Sequence, residues 1–299
     1  NVSTGRSDGN SFYGNTISDV INGFVITGYN DPTSPYTYYD QNNSIGILGN
    51  GNTIQRFGND APTATISRSS GFYGIYQNNI TVTDNTIQSS IGGLEPHSNV
   101  LYGIFMSGPI SGNQLQVISI TNNDISLYAH QSSSTMKGIK TGSTSGVGAS
   151  SIQIVANVIH DCTFYDDPGM AGTPSGEFLA IDNVLNASTV TIADNQILDN
   201  VLNTSVTGNL YLIYNSVNSP VVEVSGNLLQ NNYKTVTSTT GIYYGYYSTS
   251  TTATGDQEFH DNVIDGFGIP VVQNGFVCGV RISSSINQNK QVYNNTVSN

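Results

Sequence analysis

Hydrophobic and polar positions along the chain follow a two-residue alternation that stops at an asparagine and then resumes. Ile80-Thr81-Val82-Thr83, Ile118-Ser119-Ile120-Thr121, Ile152-Gln153-Ile154 and Val190-Thr191-Ile192 place β-branched apolar residues at every second position. That is the pattern of a strand with one face buried and one wet. It ends in a motif, apolar-x-x-Asn-x-apolar, that recurs throughout the chain. The copies are Phe12, Asn15 and Ile17; Val82, Asn85 and Ile87; Ile120, Asn123 and Ile125; Ile154, Asn157 and Ile159; Ile192, Asn195 and Ile197; Val224, Asn227 and Leu229; Phe259, Asn262 and Ile264; and Val292, Asn295 and Val297. A ninth copy, Asn52 and Ile54, has Gly49 where the first apolar residue belongs. Successive asparagines lie 37, 33, 38, 34, 38, 32, 35 and 33 residues apart. This period is too variable for a heptad or a helical repeat of fixed length, and it fits coils whose core positions are fixed while their loops vary.

The asparagine breaks the alternation at the same place each time. Asn tolerates left-handed backbone, and its amide both donates and accepts. Asn15, Asn52, Asn85, Asn123, Asn157, Asn195, Asn227, Asn262 and Asn295 are therefore expected to stack in one column, hydrogen-bonded along the axis as Asn ladders are in parallel stacks of like segments. A second element, aromatic or small residue, then Gly, then Ile or Val, precedes each of these strands. Its copies are read at Ser44–Ile47, Tyr73–Tyr76, Tyr102–Phe105, Lys137–Lys140, Thr240–Tyr243 and Cys278–Arg281, with the Gly lost at Phe178–Ile181 and Leu210–Ile213. A short third strand follows the Asn turn. Three strands per period predict an all-β fold: a right-handed parallel β-helix, a three-sided solenoid of about nine coils of 32–38 residues, with 1–299 as one domain. At about 4.8 Å per rung, nine coils make a rod roughly 40 Å long.

Composition supports an extracellular β-protein. Only 9% of residues are charged, Trp is absent, Gly numbers 32, and Asn, Ser, Thr and Tyr take the place of charges. The net charge of −12 argues against nucleic acid and anionic membrane as partners. No apolar window approaches the roughly 18 residues that span a bilayer. Cys162 and Cys278 fall more than three coils apart, beyond the roughly 7 Å between Cα atoms that a disulfide allows, and read as unpaired. Beginning at Asn1 without an initiator Met and ending four residues after Asn295, the chain reads as an excerpt of a longer repeat protein.

The repeat resembles a known family. Tyr73-Gly74-Ile75-Tyr76 followed by Val82-Thr83-Asp84-Asn85-Thr86-Ile87, and Val292-Tyr293-Asn294-Asn295-Thr296-Val297, are similar to the parallel β-helix repeats of very large cell-surface proteins of Bacteroidetes. Those proteins are exported by type IX secretion. The resemblance covers the whole chain and implies a structural or adhesive segment, secreted or at the cell surface. Its partners would be the secretion machinery, flanking parts of its own chain, and polysaccharide or cell-surface glycans.

The β-helix also carries polysaccharide lyases and glycoside hydrolases, which makes catalytic groups a question for this chain. Glycoside hydrolysis needs two carboxyl groups about 5 to 10 Å apart. The one adjacent acidic pair, Asp166-Asp167, precedes Pro168-Gly169 in a turn signature. Of the polygalacturonase-like motifs only Arg281-Ile282-Ser283 comes near. A pectate-type lyase needs clustered carboxylates beside a base, and Arg6, Arg56, Arg68 and Arg281 have none near them in sequence. His97, in Glu95-Pro96-His97, resembles the Asp-Pro-His of alginate epimerases without the Tyr-Gly that precedes it there, and His130, His160 and His260 read as surface residues, with Asp161 within local reach of His160. No catalytic residue, cofactor or metal site is predicted. Tyrosine clusters offer the strongest surface chemistry, because tyrosine rings stack on sugars while their hydroxyls hydrogen-bond. Tyr36, Tyr38, Tyr39, Tyr244, Tyr246 and Tyr247 are the candidate glycan contacts, although stacked aromatic columns within the scaffold would also produce such runs. The function expected is a spacer or adhesive stalk. The alternatives are a carbohydrate-active enzyme with its site on a long connection such as 161–177, or a tailspike-like or ice-binding module.

Overall fold

The computed structural model describes residues 6–31, 38–58, 68–91, 100–107, 117–130, 135–142, 149–165, 176–203, 208–235, 241–249, 255–268, 276–283 and 288–298. Every regular element among them is a β-strand. Two sheets contain nine strands each, a third contains eight, and smaller sheets of four and two fill corners. Neighbouring strands come from successive coils and run parallel. The chain is thus a parallel β-solenoid. Eight coils carry all three long faces, and the last strands, Gln288–Tyr293 and Thr296–Val297, extend only the first two.

The alternation read from the sequence decides which side chains enter the core. On the first face, Ile45, Val82, Ile120, Ile154, Ile192, Val224 and Phe259 point inward. On the second, Ile54, Ile87, Ile125, Ile159, Ile197, Leu229 and Ile264 do so. All are almost fully buried. Each such side chain contributes about 1.5–3 kcal/mol relative to leaving it in water. Ile45 corrects the reading of the Asn52 coil: it pairs with Phe12 and Val82. The apolar position is therefore filled, and residues 46–51 are an insertion in which Ile47 and Asn50 bond to each other's backbone. Ser44–Ile47 accordingly belongs to the first face and is not a copy of the Gly element.

Two further copies of that element shift register. Phe72 pairs with Ile104, so Gly71-Phe72, not Gly74-Ile75, matches Gly103-Ile104. Likewise Tyr246 pairs with Ile213 and Val280, which puts Gly245-Tyr246 in place of Gly241-Ile242. The glycine is needed because the second face crowds it. A Cβ on Gly103 would lie 2.7 Å from Cγ2 of Ile125 and 2.6 Å from the carbonyl oxygen of Gly138.

The nine asparagines form one column. Each of the first eight donates twice to the Oδ1 of the asparagine one coil further on, from its backbone N–H at 3.0–3.1 Å and from Nδ2 at 2.8–3.0 Å. From Asn52 onward, Nδ2 also donates to the carbonyl of the last inward residue one coil back, such as Val82 for Asn123 and Ile120 for Asn157. Left-handed backbone does not fall on the ladder residue. It falls on the residue before it: Gly14, Asp84, Asn122, Ala156, Asp194, Gly226, Asp261 and Asn294 have φ between 54° and 67°.

A second column, five residues further along the coil, was not foreseen. Asn200 donates to Asn232, and the Cys162 N–H donates to Asn200. Cys162 is a buried member of this column and Cys278 lies on the third face, both as free thiols. The four-stranded sheet beside it aligns Phe164, Leu202 and Lys234. Lys234 is thus a buried lysine in an apolar column, its Nζ 5.8 Å from the centre of the Tyr243 ring.

Asn157→Leu is expected to lower the unfolding free energy by on the order of 3 kcal/mol or more in denaturant titration, because it takes the acceptor from the Asn123 N–H and Nδ2, a donor from the Ile120 carbonyl and one of two donors from Asn195 Oδ1, at about 1–3 kcal/mol per buried group left unpaired. Asn15→Leu, on the exposed first rung, should cost under about 1 kcal/mol by the same measurement. Lys234 makes a separate prediction. Burial pulls its ammonium down to about 8. Above that pH the unfolded chain holds more protons than the folded one, so stability from this group rises with pH. Lys234→Met should melt higher than the parent at pH 7, and the gap should narrow toward pH 10.

Candidate functional site

The third face carries four of the chain's eight Lys and Arg side chains, Arg68, Lys137, Lys140 and Arg281, among tyrosine and phenylalanine rings. Register aligns Tyr102, Lys137, Leu179, Tyr211, Tyr244 and Cys278 in one column, and Phe105, Lys140, Asp182, Tyr214, Tyr247 and Arg281 in the next. The pairing skips Gly103, Gly138, Ala180 and Leu212, and past this break Lys137, Lys140, Asp182, Tyr211 and Tyr214 line a cleft while Ile104, Ile139, Ile181 and Ile213 lie in the core. The arrangement is two aromatic patches with a polar trough between them.

In the first patch, Phe105 lies 5.2 Å from Tyr73 and 4.8 Å from Tyr102, ring centre to ring centre. The Arg68 guanidinium sits 4.2 Å over Tyr73. In the second, Tyr244 and Tyr247 stack at 4.4 Å, Tyr211 lies 5.6 Å from Tyr244, and Tyr214 lies 5.5 Å from Tyr247. Arg281 donates to the Tyr244 hydroxyl and lies 5.2 Å over the Tyr247 ring. Burial, reinforced by Glu177 and the neighbouring tyrosines, pushes the Tyr211 hydroxyl up to about 12, which keeps it a neutral donor at physiological pH.

The trough exists because one rung carries short side chains between two rungs of long ones. Leu179 and Asp182 lie between Lys137 and Lys140 on one side and Tyr211 and Tyr214 on the other. Two rung spacings set the crests about 10 Å apart. The cavity holds about 580 Å³ and runs past Glu177 at one end to Val184, Asn186 and Asn218 at the other. Within it, Lys137 and Lys140 both donate to Asp182 Oδ2, at 2.5 and 2.9 Å. Burial lowers the Lys140 ammonium, and the Asp182 carboxylate only partly offsets this. Glu177 accepts from Asn209 at 2.9 Å.

The tyrosines named from the sequence separate into different environments. Tyr247 lies half-buried in the second patch, whereas Tyr244, stacked on it, is buried at 2% exposure and is not an open contact. Tyr246 is not part of the patch: it points inward and stacks on Phe259 at 4.6 Å, with 1% exposure. Tyr39 is also buried, stacked on Tyr76, and Tyr38 is half-buried with its N–H on Asp31. Tyr36 lies outside the described residues. Tyr243 is fully buried. Lys137, Lys140, Asp182, Tyr211 and Tyr214 were missed, since they meet only once coils 32 to 45 residues apart are set in register.

Among the catalytic candidates, Asp166, Asp167 and His97 lie outside the described residues, as does most of 161–177. His130 ends the strand Tyr128–His130. His160 bridges Asp161 at 2.7 Å and Asp124 at 2.8 Å. His260 bonds Asp261 at 2.8 Å and stacks on Tyr293. Arg56 pairs with Asp19, and Arg6 with Asp8. Among the described residues, no group of three His, Cys, Asp or Glu could hold a metal ion, and no helix is long and apolar enough to cross a membrane. Comparison with protein-family models, curated proteins and solved structures finds no match.

Partial burial works against a charged His160, but Asp161 and Asp124 outweigh it, and the imidazolium is favoured relative to an ordinary histidine. A raised value in the folded state stabilises fully below the unfolded value and is lost as pH rises through the folded one. His160→Ala should therefore lower the melting temperature more at pH 5 than at pH 8.5.

Proposed function

We propose that the chain is a structural and adhesive segment of a secreted or cell-surface repeat protein, a stiff rod that presents its third face to polysaccharide. The observation that carries this reading is the aromatic face, in which the half-buried rings of Tyr73, Tyr102, Tyr211, Tyr214 and Tyr247 line up around the buried Phe105 and Tyr244 on a scaffold braced by axial hydrogen bonds. Rings held in place by their neighbours lose little freedom when a sugar stacks on them, and their hydroxyls supply donors at the rim. Two supports come from the sequence. A surface of neutral polar residues with few charges suits an extracellular β-protein. The likeness of the repeats to those of Bacteroidetes surface proteins points to export by type IX secretion, with the export machinery as a transient partner.

The test is binding of the purified chain to an array of neutral and acidic polysaccharides. Binding should fall by about tenfold or more in Tyr211→Ala and Tyr247→Ala, a loss of roughly 1.4 kcal/mol, with melting temperatures nearly unchanged. Binding to no glycan, or release of reducing ends or unsaturated sugars from any of them, would contradict the reading.

A further inference from the structure

The trough has a local convergence of positive charge that an anionic sugar would match. The whole chain has only eight Lys and Arg side chains, and two of them, Lys137 and Lys140, converge on this one cleft. Both reach the same oxygen, Asp182 Oδ2. Two ammonium groups against one carboxylate leave one positive charge unmatched. Glu177, which pairs with Thr135 and accepts from Asn209, lines the same cleft and balances its total charge, so the positive excess is local to the point where the two ammonium groups share one oxygen. Each ammonium has three N–H donors and gives one to Asp182. Each side chain keeps 14% of its surface exposed, whereas Asp182 keeps 2%. The lysines are thus pre-positioned by a buried counter-charge, with spare donors at the mouth of the cleft. The other Asp182 oxygen, Oδ1, is buried and accepts no hydrogen bond, so the contact between Asp182 and the lysines runs through Oδ2 alone.

We infer that the trough is a subsite for one sugar unit bearing a single negative charge, the carboxylate of a uronic acid, within an acidic polysaccharide. The inference rests on the glycan-contact reading and deepens it. The carboxylate would take the free donors of Lys137 and Lys140, forming charge-assisted hydrogen bonds in a half-buried setting. The sugar ring would lie on Tyr211, whose ring forms the opposite crest. Crests about 10 Å apart admit one pyranose ring lying across the rod, and the trough continues toward Asn186 and Asn218, where the next unit would lie. An acidic chain of net charge −12 would repel a polyanion over most of its surface. Contact would then be favoured on this face, where Lys137 and Lys140 converge.

The experiment compares polygalacturonate with its fully methyl-esterified form, which has the same backbone without the charge, and with a sulfated galactan, on the intact chain. The acid should bind about tenfold tighter than the ester at low salt, and this preference should shrink as salt rises. In Lys137→Gln/Lys140→Gln the preference should fall within about twofold of unity. The single variant Lys137→Gln, which leaves Lys140 on Asp182, should cut it by about threefold or more, and covers the case in which the double variant does not fold. Lys137→Arg should retain the preference. Equal binding of acid and ester would overturn the inference while leaving the glycan-contact reading intact. So would a preference that survives the lysine substitutions, or tighter binding of the sulfated galactan than of the uronate. Binding of none of the three would overturn this inference, whereas the array separately decides the broader reading.

Discussion

A chain that turns a corner between two parallel sheets leaves backbone N–H and carbonyl groups at the corner that no strand neighbour can reach. Inside a solenoid, water cannot reach them either, and each unpaired group would cost about 1–3 kcal/mol. One asparagine per coil solves this. Its Oδ1 takes two donors from the asparagine one coil back, and its Nδ2 feeds a carbonyl of the preceding coil. The solution works only if every coil presents the same residue at the same height. The ladder therefore dictates the pitch and phase of the stack, and seven of its nine members are buried.

With pitch and phase held at the corner, everything on the faces follows by register. Inward isoleucines fall into columns and interdigitate, the Gly positions let the second face approach the third, and outward residues line up at one-rung intervals. The trough is a product of this geometry rather than of a loop. It needs one coil with Leu179 and Asp182 at positions where its neighbours carry lysine and tyrosine. Connections between faces vary in length without disturbing it, because the column spacing is maintained by hydrogen bonds across coils and not by the number of residues between them.

How much could be read from the chain depended on how uniquely a residue type marks its position. An asparagine that interrupts a β-branched alternation at the same point in every period marks a corner and little else, so the first corner and two faces were legible. The third face was less so, because an aromatic residue followed by glycine occurs at several neighbouring positions. Tyr73-Gly74 and Gly71-Phe72 look alike in sequence, and only strand pairing chooses the second. That three-residue slip, and the four-residue one at Gly245, changed which tyrosines face outward and placed Tyr246 on the surface when it is in the core. The second corner left a signal that could have been used, since Asn200 and Asn232 follow Asn195 and Asn227 by five residues. Lys234 left none: a lysine in line with Phe164 and Leu202 is legible only after those strands are paired.

The ladder makes an unusual demand on turn amides, and amide hydrogen exchange tests it most directly. Backbone N–H groups at open corners exchange readily, whereas those of Asn85, Asn123, Asn157, Asn195 and Asn227 are each bonded to a buried side chain one coil away. Followed by NMR, these five amides should exchange as slowly as those of the strand residues Ile125 and Ile159 and open only with the core. Exchange at the rate of unprotected turns, while the strands stay protected, would show that the corners are not held by asparagine.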